Sequence, residues 1–562
     1  MRSRMLTVSS IAAILILIVV GFKTAPAFAG GGDRFKPSSA TKVGAADDSL
    51  FSPQEFEAAL ANRPNANNLV LVSQCRFAPF AGNAGLYGSF GAGVSNAVVG
   101  DTTFGYADGT HCYNPQNESN VVINPTNASN LLTSANEYRL DGHEVYASSD
   151  GGQTWVNVVL PGWTASTGGS GLFARMTSCG DPVLAFGPDG SAYYSGLVCN
   201  ENKNAFFSGV AVAKSTDGGQ SWSMPVMVSF SNSPVIFNDK EWITVGPDGT
   251  VFLTWTRFKV AKNSYVESPI VMSKSLDGGS SWTDWVKVSD KTHIYNQGSM
   301  PVVAPDGTLY VAYEGSTPSS GYSADAILLA RSTNGGKSFT NVELARAYDD
   351  YNCYPTNLAQ GRQTLSGEEF RINSFPSFAI DPTTGRLYIT WADDQANASC
   401  GYEKGGSFVG PTSNQVKLIS SNDGLTWSAP RVITSGASDK VYPAVGANAG
   451  RVVVSYYTRA YSPTGVACQA AGLDTATNAL VHFGGPICLD YAMRSSGDDF
   501  ASETRLTSES SNPYITFAGS FIGDYTGALV DSTGSAYAVW ADFRGNPQIT
   551  DPNMDVNVAF GK

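Results

Sequence analysis

Apolar and polar residues alternate in short runs along most of this chain, the period-two pattern of half-buried β-strands, and past the N-terminal segment no run is long enough to span a membrane. The runs come in pairs. An apolar run, a turn rich in Gly, Asp and Pro, and a second apolar run recur seven times, at 122–138, 183–198, 242–255, 302–313, 378–391, 445–457 and 528–540. Gly187 to Gly190, Gly246 to Gly249 and Ala304 to Gly307 are the clearest of these turns.

Out of phase with the first repeat runs a second, Ser-x-Asp-Gly-Gly-x-Ser/Thr-Trp. Intact copies stand at Ser148 to Trp155, Ser215 to Trp222 and Ser275 to Trp282. Decayed copies stand at Ser332 to Phe339, Ser421 to Trp427 and Ser495 to Phe500. The short Asp side chain accepts hydrogen bonds from nearby backbone amides, the Gly pair permits positive φ, and the aromatic residue anchors the turn in the core. Each copy joins two alternating strands. Two strands, a loop and two more strands joined by the aspartate turn make a four-stranded unit, and its repetition predicts an all-β fold, a single β-propeller. Seven strand pairs predict seven blades. The last pair and the strand 555–560 need a fourth strand from elsewhere, and 68–73, which resembles the outer strands 226–229 and 286–289, is the candidate that closes the ring.

The aspartate turn resembles the Asp-box, or bacterial neuraminidase repeat, of sialidases and related propellers, over about residues 119 to 560. The resemblance implies a sialidase-like propeller, with six blades, the number in sialidases, as the alternative to seven. It implies little about chemistry, because the box also occurs in propellers with other activities or none.

Composition agrees with an extracellular all-β protein. The chain has 562 residues, 59 Gly, 15% charged residues and a net charge of −13, with no basic stripe to neutralise nucleic-acid phosphates. Arg2 and Arg4, the apolar run Ile11 to Val20 and Ala27-Phe28-Ala29 read as a signal peptide over 1–29, with an uncleaved membrane anchor as the alternative. Residues 30–66 read as a linker with a short helix opened by Ser52 to Glu55, and 67–562 as the propeller. The expected location is secreted or extracellular, with periplasm or cell surface as variants. Eight cysteines in an exported chain predict disulfides, and sequential pairing gives Cys75–Cys112, Cys179–Cys199, Cys353–Cys400 and Cys468–Cys488. No Cys-x-x-Cys, His-Glu-x-x-His or Gly-x-Ser-x-Gly pattern occurs, so neither a zinc protease nor a serine hydrolase is indicated, and no cofactor is expected. A propeller closes its own strand edges, which makes a monomer the default.

Propeller geometry separates the two faces. The aspartate turns lie on one face; residues just before the first strand and just after the second open on the other. Those positions carry Asp181, Asp239-Lys240-Glu241, Gln297, Arg371, Tyr442 and Asp524-Tyr525 before the first strands, and Arg257, Glu314, Asp393, Asp394, Arg459, Asp542 and Arg544 after the second. Two rings of charged and phenolic groups are therefore expected around one mouth of the central channel. The segment Phe370 to Asn373 is similar to the Phe/Tyr-Arg-Ile-Pro segment of sialidases, with Asn373 in place of Pro and a later position in the chain. By that resemblance Arg371 leads a carboxylate clamp completed among Arg257, Arg459 and Arg544, and Tyr525 or Tyr442 is the nucleophile. Asp524 is then the acid/base or a hydrogen-bonding group, Glu241 or Glu314 the activator of the tyrosine, and Asp239, Asp181 and Gln297 further site residues. Trp163, Tyr351, Tyr354 and Tyr402 are candidate sugar-stacking aromatics. Two functional readings follow: a sialidase-like glycoside hydrolase that removes a terminal acidic sugar from extracellular glycans, and a non-catalytic propeller that binds glycan or protein with the same face.

Overall fold

Seven antiparallel sheets form the blades of the propeller. The computed structural model describes residues 86–90, 94–98, 116–137, 141–202, 205–261, 264–322, 324–349, 353–355, 363–368, 370–395, 411–461, 488–507, 510–511, 513, 521–543 and 555–561. Blade one consists of Gln116–Asn124, Asn127–Glu137, Glu144–Ser148 and Val156–Val159. Blade two is Thr177–Phe186, Ala192–Asn202, Ala205–Ser215 and Val226–Ser231. Blade three is Ile236–Val245, Val251–Ala261, Ile270–Ser275 and Val286–Lys287, with Ser264–Glu267 added to the second strand. Blade four is Asn296–Val303, Leu309–Ser316, Asp325–Ser332 and Thr340–Ala347. Blade five is Ser377–Ile380, Leu387–Asp393, Gln415–Ser421 and Arg431–Val432; blade six is Lys440–Asn448, Arg451–Thr458, Asp490–Ser495 and Thr504–Arg505.

Blade seven closes the ring with strands from both parts of the chain. Gly527–Val530, Ala536–Asp542 and Asp555–Gly561 are completed by Val94–Val98, which pairs with the last of them, and Leu86–Phe90 adds a fifth strand. The expected closing strand, 68–73, lies outside the described residues, and the place beside Asp555–Gly561 is held by Val94–Val98. The signal segment, the 52–61 helix, Tyr351, Tyr402 and Arg544 also lie outside them.

The aspartate turns occupy the predicted place between third and fourth strands. In blade one Ser148 Oγ donates to Asp150 Oδ1 (2.8 Å) and accepts from Gly152 N (2.9 Å). Thr154 donates to the same carboxylate through its amide (2.9 Å) and its hydroxyl (2.6 Å), and Trp155 Nε1 donates to Gly152 O (3.0 Å). Asp217 with Ser221, and Asp277 with Ser281, repeat the arrangement. The hydrogen bonds from Ser281 hold the exposed Asp277 carboxyl down at about 2. Three of the turns also rest on the preceding blade: Asn130 Nδ2 donates to Gly218 O (2.9 Å), Lys274 Nζ to Gly335 O (2.7 Å) and Tyr310 Oη to Asp423 O (3.3 Å). The motif thus fixes blade-to-blade spacing as well as the hairpin.

Apolar side chains fill the space between blades. Ala312 and Ile327 of blade four pack with Phe378, Ile389 and Trp391 of blade five, and Val121 and Tyr146 of blade one with Tyr537, Val539 and Val558 of blade seven. Cys179 and Cys199 are bonded across the first two strands of blade two, as sequential pairing predicts, and Cys353 and Cys488 are also disulfide-bonded. Trp163 and Tyr354, expected as sugar platforms, are core residues. Trp163 stands against His143 (ring centroids 4.3 Å) and Tyr194, and the Tyr354 hydroxyl donates to Asn414 Oδ1. Their indole and phenol supply the bulk that the wedge between neighbouring blades requires.

Two predictions follow from this packing. Gly219 has φ of +87° and faces Leu132 of blade one so closely that a methyl group would collide with its Cδ2. Gly219→Ala should lose about 1–3 kcal/mol in equilibrium unfolding through left-handed strain and the clash. His143 is wholly buried, bonded to Tyr194 Oη (2.8 Å) and Leu197 O (3.1 Å), and burial drives its pKa down to about 3. The unfolded chain takes up this proton near pH 6.5 and the folded chain does not, so the stability is complete above that pH. It declines by up to about 1.4 kcal/mol per pH unit as pH falls toward 3. His143→Gln should flatten the slope in unfolding experiments across that range.

Candidate functional site

The upper face, where the innermost strands begin, is built on a repeated irregularity. In blades one, two, three, four and six the first strand carries a β-bulge near its start, around 117–120, 180–183, 239–242, 297–300 and 441–444. The first residue inside each bulge has positive φ: Glu118 (58°), Asp181 (54°), Lys240 (49°), Gly298 (67°) and Tyr442 (53°). Four of these are not glycine, and each such residue costs roughly 1–3 kcal/mol of backbone strain. The bulge re-aims its side chain, and the strain is compensated at the axis.

There the side chains of five blades meet. Lys240 Nζ lies 2.5 Å from Glu118 Oε1, 3.1 Å from Asp181 Oδ1 and 2.9 Å from Asp524 Oδ2. Asp524 also receives Arg371 through two bonds, Nε at 3.1 Å and NH2 at 2.6 Å, and Asn373 Nδ2 at 3.0 Å. Asn136 Nδ2 holds Glu118 Oε2 (2.8 Å), and the Asp524 amide donates to Glu118 Oε1 (3.2 Å), tying blade seven to blade one. Gln297 Nε2 extends the lattice to Asp239 Oδ2 (2.9 Å). Lys240 also stands 5.1 Å from the Tyr525 ring centroid, and Arg371 4.6 Å from that of Phe521. All the charged members are buried.

Burial and mutual charge set the protonation of this lattice. Burial would lower the Lys240 ammonium, but Asp181, Asp524 and Glu118 hold it well above the usual lysine range. Burial raises the Asp524 carboxyl, yet Arg371 and Lys240 outweigh it and bring it to about 2. Glu118 is pushed well up by burial and by Asp181, only partly offset by Lys240. Glu241 is raised by burial and by Asp181, and neither of its carboxyl oxygens has a hydrogen-bond partner. Tyr442 and Tyr525 are both raised far above 10 by burial first, then by neighbouring carboxylates. The Tyr442 hydroxyl donates to Arg371 O and that of Tyr525 to Pro182 O (3.1 Å).

The remaining predicted residues do not join this centre. Arg459 is held by Asp439 and by Glu368 (3.3 Å), and Arg257 stacks on the half-exposed Trp285 at 5.1 Å. Asp393 pairs with Lys417 Nζ (2.7 Å) and accepts from Trp391 Nε1 (2.8 Å); Asp394 is buried beside it, its amide 3.4 Å from Tyr348 O. Asp542 accepts from Trp540 Nε1 (3.2 Å). Arg371 and Arg459 are thus paired with separate buried carboxylates, and Arg257 stacks on a half-exposed indole.

A cleft on the upper face lies off the axis, between blades three, four and five. Gln297 and Glu314 line it, as predicted for the face, together with Tyr295, Asp325, Asp349 and Asn373. Glu314 lies on the side of its strand that carries Ala312, the side packed against blade five. Asp325 accepts from Ser316 Oγ (2.7 Å), and Asp349 O from Gln363 Nε2 (2.8 Å). Among the described lining residues there is no Lys or Arg. Glu118, Asn136, Asn373 and Asp349 were not picked out from the sequence. Glu118 was within reach, since it occupies the bulge position of Asp181 and Lys240.

No family model matches the sequence, and no curated protein matches it significantly. Among solved structures the chain is similar to a protein of unknown function from Dyadobacter fermentans DSM 18053, 13% identical, with a TM-score of 0.40 and coverage of 69% of this chain and 94% of that one. It is similar also to the Trypanosoma rangeli sialidase in complex with the inhibitor DANA (12%, TM-score 0.37, 62% and 53% covered). A third is the GH93 α-L-arabinofuranosidase of Fusarium graminearum in complex with arabinobiose (13%, TM-score 0.38, 64% and 92%). The blade count rests on this chain's own strand pairing, and the site on its own residues.

Removing the cation at the centre of the lattice leaves buried carboxylates facing one another. Lys240→Met should cost about 3–5 kcal/mol in urea unfolding, far beyond a surface lysine.

Proposed function

We propose that this chain is an exported glycan-binding β-propeller, which binds a neutral sugar against the mouth of the upper-face cleft between blades three, four and five and does not cleave it at the axis. The observation that carries the reading is the engagement of the catalytic candidates. Arg371 is bound to Asp524 and Arg459 to Asp439 and Glu368, and both candidate tyrosines donate their phenolic protons to backbone carbonyls. A nucleophilic tyrosine needs a base on its hydroxyl, and an acid/base needs a pKa near the working pH. Asp524 at about 2 is ionised throughout the physiological range and is a poor proton carrier. The cleft combines carboxylates and amides with Tyr295 and Phe375, the mixture that sugar hydroxyls and C–H faces favour. Its acidic lining disfavours a sugar carboxylate and moves the expected ligand from an acidic glycan to a neutral one. Export rests on the N-terminal pattern of the sequence.

One observation favours a hydrolytic reading: Glu314 and Asp349 line the same cleft, and two carboxyls are the minimum for glycoside hydrolysis. Titration calorimetry against neutral and sialylated oligosaccharides, run beside a fluorogenic glycoside panel, separates the readings. Binding of a neutral oligosaccharide without turnover is expected, with Glu314→Gln weakening it about tenfold through loss of a charge-assisted hydrogen bond. Turnover abolished by both Glu314→Gln and Asp349→Asn assigns a hydrolase instead, and binding of neither ligand class refutes the glycan reading.

A further inference from the structure

The cleft between blades three, four and five is narrower than the sugar that meets its mouth. The space within it measures about 40 Å³. At roughly 10–15 Å³ for each enclosed water, it takes two or three water-sized groups but no pyranose ring. What enters is therefore a substituent of the sugar. The walls offer that substituent acceptors: Glu314, Asp325 and Asp349 are buried there, and among the described lining residues there is no Lys or Arg. Donors on the same walls are committed elsewhere. Gln297 Nε2 donates to Asp239 Oδ2 (2.9 Å), Asn373 Nδ2 to Asp524 Oδ1 (3.0 Å), Gln363 Nε2 to Asp349 O (2.8 Å) and Ser316 Oγ to Asp325 Oδ1 (2.7 Å).

A second observation is independent of the carboxyls. Asn296 lines the cleft and is 4% exposed, with its Nδ2 given to His293 O (2.7 Å) and Ser268 O (3.2 Å). Its Oδ1 accepts no hydrogen bond among the described residues. That oxygen faces Gly315, another lining residue, where a Cβ would lie 2.5 Å from it. The glycine thus leaves the oxygen open to the cleft. A buried acceptor without a donor is costly, and a proton brought by a ligand relieves the cost.

We propose that the cleft selects an amino sugar, taking the protonated amine inside while the ring rests at the mouth. The inference rests on the glycan reading above and narrows it. An ammonium brings three donors and no lone pair, whereas a hydroxyl brings one proton and turns lone pairs toward the carboxyls. Charge acts in the same direction, because buried carboxyls favour a cation and disfavour a sugar acid. The rings of Phe258, Tyr295 and Phe375 on the same lining are compatible with a cation, which aromatic faces attract. A metal ion is the poorer fit, since no three His, Cys, Asp or Glu side chains form a cage among the described residues.

The test is calorimetric titration of the whole chain at about pH 6, where a primary amine is charged. The probes are the tetrasaccharides of glucose, N-acetylglucosamine and glucosamine, and putrescine as a diamine without a sugar. The glucosamine tetramer should bind at least about tenfold more tightly than either neutral tetramer, through its charge-assisted hydrogen bonds, and more tightly than putrescine. Glu314→Gln should fold and shrink the ratio of glucosamine to glucose affinity about fivefold or more. If Glu314→Gln does not fold, Asp349→Asn reads the same ratio. A glucosamine tetramer that binds no more tightly than the neutral ones overturns the inference and leaves the glycan reading standing, whereas binding of no tetramer overturns both. Putrescine bound as tightly as the glucosamine tetramer removes the sugar from the account and overturns the inference, as does an unchanged ratio in the variant that folds.

Discussion

A single lysine at the centre of a ring of seven sheets is the constraint around which this molecule is arranged. Lys240 reaches carboxylates from blades one, two and seven, and Arg371 brings blade five to the last of these. A propeller has little backbone hydrogen bonding between its blades, so side chains must hold the ring closed. Apolar packing supplies most of that cohesion. The buried ion lattice adds direction, because its charges are satisfied only when all the contributing blades are in register. The bulges and left-handed residues at the starts of the inner strands are the local distortions that allow those side chains to meet.

The same lattice determines what the axis can do chemically. A guanidinium bound in two places to a buried carboxylate is not offered to a ligand, and a phenol bonded to a peptide carbonyl is not poised as a nucleophile. Charge at the mouth of the channel is turned inward, and a cleft lined by carboxylates, amides and aromatic rings lies to the side, over blades three to five. An axial arginine, a tyrosine and a carboxylate in one cluster can therefore hold the ring rather than transform a substrate.

Much of the fold was legible because its signals are local. The Gly/Asp/Pro turns, the Asp-Gly-Gly turns and the alternating runs each specify a hairpin, and their phase gave the seven blades and told the two faces apart. Asp181, Lys240, Arg371, Tyr442 and Asp524 were legible as residues at the starts of first strands, and the structure brings them together. Their pairing was not legible, because contacts such as that of Glu118 with Lys240, 122 residues apart, depend on how the ring closes. Glu118 escaped notice since it lies in a polar stretch, Gln116 to Asn120, without the usual apolar alternation. Trp163 and Tyr354 show the opposite failure: an aromatic near a loop reads as a surface platform until the wedge between blades claims it.

The central claim is that the axial charges hold the ring and do not hold a ligand, and a double-mutant cycle between Arg371 and Asp524 tests it most directly. Unfolding free energies and oligosaccharide affinities are needed for Arg371→Met, Asp524→Asn and the pair. The account predicts a coupling of roughly 1–3 kcal/mol in stability, with affinity unchanged in every variant that folds. Additive effects on stability, together with loss of ligand binding in either single variant, would contradict it.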